Sequence, residues 1–145
     1  MNMQIDLVSL YKLIKRFEGC HLTPYLCPAG IWTCGWGSTG PDVYPGKPWT
    51  QEYADQRMER DALRFASAAV RLCPGLRGTQ VAAVADFAYN LGTGALRAST
   101  LRRKLNAGDI EGAALELGKW VNGGGKRLRG LVLRREAERQ LLVGC

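Results

Sequence analysis

Glu18 is the carboxylate in this chain best placed by its neighbours for acid–base work. It follows Phe17 at the end of an apolar helical stretch and stands directly before Gly19, where the chain must turn. A carboxyl at such a junction is partly removed from water. Desolvation disfavours its charged form, which suits a general acid near neutral pH. The alternative is an ordinary helix-end glutamate pointing into solvent. Other chemistries find less support. His21 is the only histidine, so a Ser-His-Asp or Cys-His nucleophile has one base to use. The five cysteines, Cys20, Cys27, Cys34, Cys73 and Cys145, contain no CxxC pair. That spacing argues against a zinc site, and no metal or other cofactor is expected. Their odd number points to reduced thiols.

The elements that must position Glu18 follow from periodicity. Leu7, Leu10, Tyr11, Ile14 and Phe17 fall on one helical stripe, predicting an amphipathic helix over 5–17. From about 18 to 49 the chain changes character. Pro24, Pro28, Gly30, Gly35, Gly37, Gly40, Pro41, Pro45, Gly46 and Pro48 punctuate short β-favouring pieces such as Ile31-Trp32-Thr33, which reads as a small sheet of hairpins. Thr50 is the expected N-cap of a long helix burying Ala54, Met58, Ala62, Phe65 and Ala69, stopped at Cys73-Pro74-Gly75. Thr79 is expected to cap the next helix, closed by Gly92. Ser99 or Thr100 starts another, stopped at Gly108, and Asp109 caps one more. Trp120 leads to a break at Gly123-Gly124-Gly125, and a final basic helix runs from about Leu128 to Leu142. The expected fold class is α+β. One domain over 1–145 combines an N-terminal helix, a small β lobe over about 18–49 and a larger all-helical lobe over about 50–145. The natural ligand site is the cleft between them.

The net charge of +7 is uneven: from Arg97 onward eleven basic residues face five acidic ones. Such a half favours polyanions, whether nucleic acid, anionic lipid or an acidic envelope polymer. The plainer reading is a solvated helix face, since Arg102-Arg103-Lys104 and Arg134-Arg135 sit in helical patterns laced with Glu136 and Glu138. No run of 18 or more apolar residues occurs, and the first residues lack the small-residue cleavage site of a secretory signal.

One set of motifs ties these pieces together. Phe17-Glu18-Gly19, Leu22, Tyr25 and Gly30-Ile31-Trp32-Thr33-Cys34-Gly35-Trp36-Gly37-Ser38-Thr39 resemble the phage-type lysozymes, or endolysins. The resemblance continues in order through Gln80–Val84 and Asn90-Leu91-Gly92, then Ser99-Thr100-Leu101 with Leu105–Asp109, and Gly130-Leu131 with Arg134-Arg135 and Ala137-Glu138. In that family a Glu, eight residues, an Asp or Cys, five residues and a Thr form the catalytic set, and Glu18, Cys27 and Thr33 fall on those spacings. The resemblance implies a lysozyme-like fold and a muramidase cleaving the β-1,4 bond between N-acetylmuramic acid and N-acetylglucosamine in peptidoglycan. Glu18 is then the acid that protonates the leaving oxygen, Thr33 holds the attacking water, and Cys27 stands where many members carry Asp. A thiol beside a carboxyl and an apolar wall ionises with difficulty, so Cys27 is expected to position water or accept its proton weakly. A buried small hydrophobe is the alternative.

Three further residues are candidates for contact with the substrate. Tyr25 is implied by the resemblance alone. Trp36 is suited either to stacking on a sugar ring or to the core of the β lobe. Asn90 resembles the polar position lining the saccharide cleft, and a helix C-terminal cap beside Gly92 is an equal alternative. Arg127 or Arg129 is the expected partner of Glu18. The family often carries Ile-Gly-Tyr-Gly-His-Thr where this chain has Cys34-Gly35-Trp36-Gly37-Ser38-Thr39, so the missing His is expected to remove a salt-bridge option. The implied partners are peptidoglycan and a membrane-pore protein, a holin, that releases the enzyme from host cytoplasm to the wall in the periplasm. A monomer is expected. Contact of the basic last helix with the anionic envelope is a further expectation, and nucleic acid is not an expected partner. Rival functions are a lytic transglycosylase, which needs one acid and leaves 1,6-anhydro ends, and a non-catalytic cationic envelope- or nucleic-acid-binding protein.

Overall fold

The computed structural model describes residues 6–144. The first residue of the expected helix 5–17 and the fifth cysteine, Cys145, lie outside the described residues. Helix α1 spans Leu7–Glu18 and is started by Asp6, whose carboxylate accepts from the Ser9 N–H at 2.9 Å. It buries Leu10, Leu13 and Ile14 and ends at Gly19, where φ is 70°. That left-handed turn is cheap for glycine and sends the chain away from the helix axis. Strands β1 (His21–Leu26) and β2 (Trp32–Gly35) then pair antiparallel, with Tyr25 opposite Thr33 and Leu26 opposite Trp32. The β region is smaller than a set of hairpins: beyond this pair and a bridge from Cys34 to Ser38, the segment up to Pro48 is turns.

Helix α2 (Gln51–Leu72) begins under Thr50, whose hydroxyl accepts from the Tyr53 N–H at 3.0 Å. Helix α3 (Thr79–Leu91) runs through the centre of the larger lobe, packed against α1 and α2, and buries Val81–Ala88 throughout. Its N-cap is Gly78 and not Thr79, because the Thr79 hydroxyl donates to the Leu141 carbonyl at 2.9 Å instead. Short α4 (Thr93–Ala98) follows directly after Gly92, an element too short for its periodicity to show. Helices α5 (Thr100–Asn106) and α6 (Ile110–Leu117) are capped by Ser99 and Asp109. The glycine run at 123–125 is not a bare break but the turn of a two-residue hairpin, β3 (Asn122–Gly123) with β4 (Lys126–Arg127). Helix α7 (Arg129–Val143) closes the lobe on α3.

Two apolar clusters result. The larger holds Leu10, Ile14, Met58, Phe87, Leu96, Leu101, Leu117 and Leu142. The smaller, in the β lobe, holds Cys34, Val43, Trp49 and Ala54. Trp36 packs against both, joining the lobes. Trp120 meets Phe87 edge to face at 5.2 Å and fastens the last helices. The basic helix α7 is not simply a solvated face: Arg134, Arg135 and Glu138 are buried within its contact with α3.

Candidate active site

Glu18 is the last residue of α1, so its side chain leaves the helix at the junction between the β hairpin and the helical lobe. It lines a cleft of about 360 Å³ with Phe17, Asn90, Leu128, Leu131 and Arg134. The surroundings are more polar than a hydrophobic pocket. Arg134 Nη1 donates to Glu18 Oε2 at 2.7 Å, and the Glu18 side chain keeps 20% of its surface exposed. The partner is therefore Arg134, in the second turn of α7, and not Arg127 or Arg129. Those two stand in β4 and at the first position of α7, and Arg134 lies one to two turns further on. On its other side the Glu18 carboxyl meets the backbone of Gly37, where φ is 85°. A Cβ there would fall 2.5 Å from Oε1.

Arg134 is itself clamped. Its Nε and Nη2 donate to the two carboxylate oxygens of Asp86 at 2.9 and 2.8 Å, and Asp86 is fully buried on α3. Burial raises the Asp86 carboxyl most, but the Arg134 hydrogen bonds, Glu138 and the charges of Arg134 and Arg135 together outweigh it and hold the group below its ordinary value. Arg135, the next residue, donates to Asn90 Oδ1 at 2.7 Å and to Glu138 Oε2 at 3.0 Å. Asn90 thus faces the cleft with its carbonyl already engaged, and the cap of α3 is the Gly92 N–H to Ala88 O at 2.7 Å. None of Asp86, Arg135 or Glu138 was singled out from periodicity. The readable signal was two adjacent arginines and a glutamate at positions that a helix half-buries.

Cys27 and Thr33 sit on the turn and second strand of the β hairpin. The turn is closed by Cys27 N–H to Ile31 O at 3.0 Å and Gly30 N–H to Cys27 O at 2.8 Å. The Cys27 thiol is half-buried and lies below its ordinary pKa. The backbone at Ile31 is the main cause; burial, next in size, opposes it, and Ala29, Thr33 and Gly30 have smaller effects. The direction is opposite to that expected of a thiol beside an apolar wall, and the backbone of the turn is its main cause. Thr33 is buried, and its hydroxyl donates to the Ile31 carbonyl at 3.0 Å, leaving its oxygen lone pairs free to accept. Tyr25, 37% exposed, stands opposite Thr33. Burial raises its phenol, and the negative charges of Glu18 and Cys27 add to that, so the three groups share one electrostatic neighbourhood.

Trp36 belongs to the packing between the lobes. Its Nε1–H donates to Asp55 at 2.8 Å, and it is not among the residues lining the cleft at Glu18. Ser38 occupies the position of the missing His and donates to Asp61 at 2.9 Å, while Arg57 forms the ion pair with Asp61 and Asp42. The salt bridge expected to be lost is thus supplied by Arg57. A larger cavity, about 470 Å³, lies elsewhere between Tyr44, Trp49 and Tyr53 and holds none of the six candidate residues. Among the described residues no cluster of His, Cys, Asp or Glu is arranged to hold a metal ion, and no helix is long and apolar enough to cross a membrane.

The family model for phage lysozyme matches residues 15–138, from the middle of α1 through Glu138 on α7. The chain belongs to the phage lysozyme family. As a phage lysozyme it is a glycoside hydrolase that degrades peptidoglycan. Relatives include the SAR-endolysin of Bacteriophage PS119, 38% identical over 130 residues covering 87% of this chain and 76% of the relative. The endolysin of Bacillus phage B103 is 40% identical over 134 residues, 90% of this lysozyme but only 51% of that relative, so this chain spans about half its length. Among solved structures, the muramidase domain of SpmX from Asticaccaulis excentricus superposes with a TM-score of 0.87. It is 29% identical, with 99% of this chain and all of that chain covered. The lysozyme-like α+β fold is thereby established.

Proposed function

We propose that this lysozyme is an endolysin muramidase that hydrolyses the β-1,4 bond between N-acetylmuramic acid and N-acetylglucosamine, with Glu18, Cys27 and Thr33 as its catalytic set. The observation that carries this reading is the placement of the Glu18 carboxyl in the cleft, held by Arg134 and facing the hairpin that bears an electrostatically activated Cys27. Glu18 delivers a proton to the glycosidic oxygen as the bond to the anomeric carbon breaks. The Cys27 sulfur, as thiolate, supplies the negative charge that a second carboxylate gives elsewhere, stabilising the oxocarbenium-like transition state and drawing a proton from the incoming water. Thr33 accepts from that water through the lone pairs its Ile31 bond leaves free. Tyr25 and Asn90 border the sugar, Asn90 with its amide NH₂ available to an N-acetyl carbonyl. Trp36 supports the cleft from behind. The chain acts as one catalytic domain and a monomer, needs no cofactor, and reaches the wall from host cytoplasm through a holin, lysing the host.

Digestion of purified peptidoglycan, with mass analysis of the glycan ends, tests this directly. Reducing N-acetylmuramic acid ends are expected. 1,6-Anhydro ends would replace hydrolysis with transglycosylation and remove the water-holding role of Thr33. Glu18→Gln is expected to lower turnover by at least about a hundredfold, the usual weight of a general acid, and retained turnover would remove Glu18 from that role.

A further inference from the structure

Asn90 stands in the last turn of α3 and lines the cleft beside Glu18 and Arg134. A side-chain amide there can face a sugar with its carbonyl, which accepts, or with its NH₂, which donates. The two choices suit opposite chemistries, and the structure leaves one of them. Arg135 Nη2 donates to Asn90 Oδ1 at 2.7 Å. A guanidinium carries only donors, so the reversed amide would set NH₂ against N–H. The arginine cannot step aside. It is 2% exposed, and its Cζ lies 5.2 Å from the centre of the Phe87 ring. Glu138, with no exposed surface, holds it by an ion pair at 2.9 Å and by the hydrogen bond from Nη2 to Oε2 at 3.0 Å. That leaves the NH₂ of Asn90 to the cleft that the residue lines.

We propose that Arg135, anchored by Glu138, is a positioning residue for substrate choice: it fixes the Asn90 amide with its NH₂ toward the cleft, so that the site takes N-acetylated sugars and rejects de-N-acetylated ones. The inference rests on the reading that Asn90 borders the sugar. An acetamido group presents a carbonyl oxygen that accepts from the Asn90 NH₂. Removal of the acetyl group leaves an ammonium, which only donates, and two donors then face each other with no acceptor between them. The site loses a hydrogen bond and still bears the desolvation of both groups. An unanchored amide would escape this by turning about its last side-chain bond and offering its carbonyl to the ammonium. Arg135 closes that escape. A buried ion pair is a weak stabiliser, since apolar residues of the same volume often pack as well. Here the pair supplies orientation, and it does so without touching substrate.

The test compares kcat/KM on purified peptidoglycan with kcat/KM on the same material after enzymatic de-N-acetylation, taken as a ratio within each variant so that losses of folded enzyme cancel. The wild-type chain is expected to prefer the acetylated glycan by at least roughly tenfold. Asn90→Asp keeps an oxygen for Arg135, whose Nε and Nη1 are free to meet a second carboxylate, but offers the sugar acceptors only. It is expected to lower the ratio by roughly ten- to a hundredfold, losing rate on the acetylated glycan and gaining it on the other. Arg135→Met with Glu138→Leu removes both members of the pair, so no buried charge is left alone. The ratio is then expected to approach one with Asn90 intact. An unchanged ratio in either variant would overturn the proposal, since a merely structural pair would affect both substrates alike. Should the double variant fail to fold, guanidinium proton exchange is followed instead. The Arg135 Nη2 protons are expected to be protected in the wild-type chain and to lose protection in Asn90→Ala, and equal exchange in the two would refute the anchored amide. If the wild-type chain cut neither glycan while that protection depended on Asn90, the functional reading and the selectivity would fall and the fixed amide alone would stand.

Discussion

At the scale of single residues, Cys27 departs furthest from a two-carboxylate glycosidase, and the structure supplies a reason it can serve. The backbone at Ile31, with smaller effects of Ala29, Thr33 and Gly30, stabilises the thiolate in the turn of the hairpin. A thiol whose pKa is lowered is more ionised at neutral pH than a free one, so its alkylation is expected to reach half-maximal rate below the ordinary thiol value of about 8.5. Following iodoacetamide labelling of Cys27 against pH checks this, and a midpoint at or above that value would contradict it. Cys27→Ala is expected to reduce kcat by roughly 10² to 10³, with Cys27→Asp recovering most of the loss. Full activity in Cys27→Ala would return Cys27 to a packing role. The sequence made Cys27 legible by spacing alone. The backbone around it was not, because its placement depends on how the turn folds back to join Cys27 and Ile31.

At the scale of elements, the C-terminus of α1 and the loop after β2 must approach within van der Waals contact for Glu18 to sit where it does. Gly37 makes that possible. Its positive φ and missing side chain let backbone lie against the Glu18 carboxyl. Gly37→Ala would press a methyl group into Oε1 and strain the backbone, and is expected to cost about 1–2 kcal/mol of stability. Activity is expected to fall further than this cost implies, since the carboxyl itself must move. Urea unfolding and turnover measured on the same preparation separate the two effects. Loss of stability with activity intact would mean that Glu18 adapts freely. Helix stripes and most caps were readable: Thr50, Ser99 and Asp109 act as caps because a short polar side chain reaches back to the first-turn N–H groups, while Asp6, inside the expected 5–17 helix, is the cap of α1. The 123–125 hairpin and short α4 were not. Two-residue strands and a six-residue helix carry too few residues for a period to appear.

At the scale of the whole molecule, the ion pairs of Arg134 with Glu18 and Asp86 join α1, α7 and α3. Removing that cation leaves Asp86 buried without a partner, so Arg134→Met is expected to cost on the order of 3–5 kcal/mol. Chemical denaturation measures this, and a loss below about 1 kcal/mol would mean that water or Arg135 replaces the pair. Burial also bears on the basic C-terminal half. Arg134 and Arg135 are spent inside the fold, so an attraction to polyanions must come from exposed positions such as Arg97, Arg103, Lys126 and Arg127.

The sequence alone determined the helix stripes, the α+β order and the absence of a Cys/His metal spacing, because these rest on local periodicity and fixed spacing along the chain; Glu18, Cys27 and Thr33 were candidates through the family resemblance. Tertiary structure alone decided which arginine meets Glu18, that Trp36 packs between the lobes, and that Asp86 meets Arg134. Those outcomes depend on how α7 is rotated against α3 and α1. The amphipathic pattern shows that a helix will be half-buried. It does not say which partner each of its inward charges will meet, because the partners come from helices more than forty residues away.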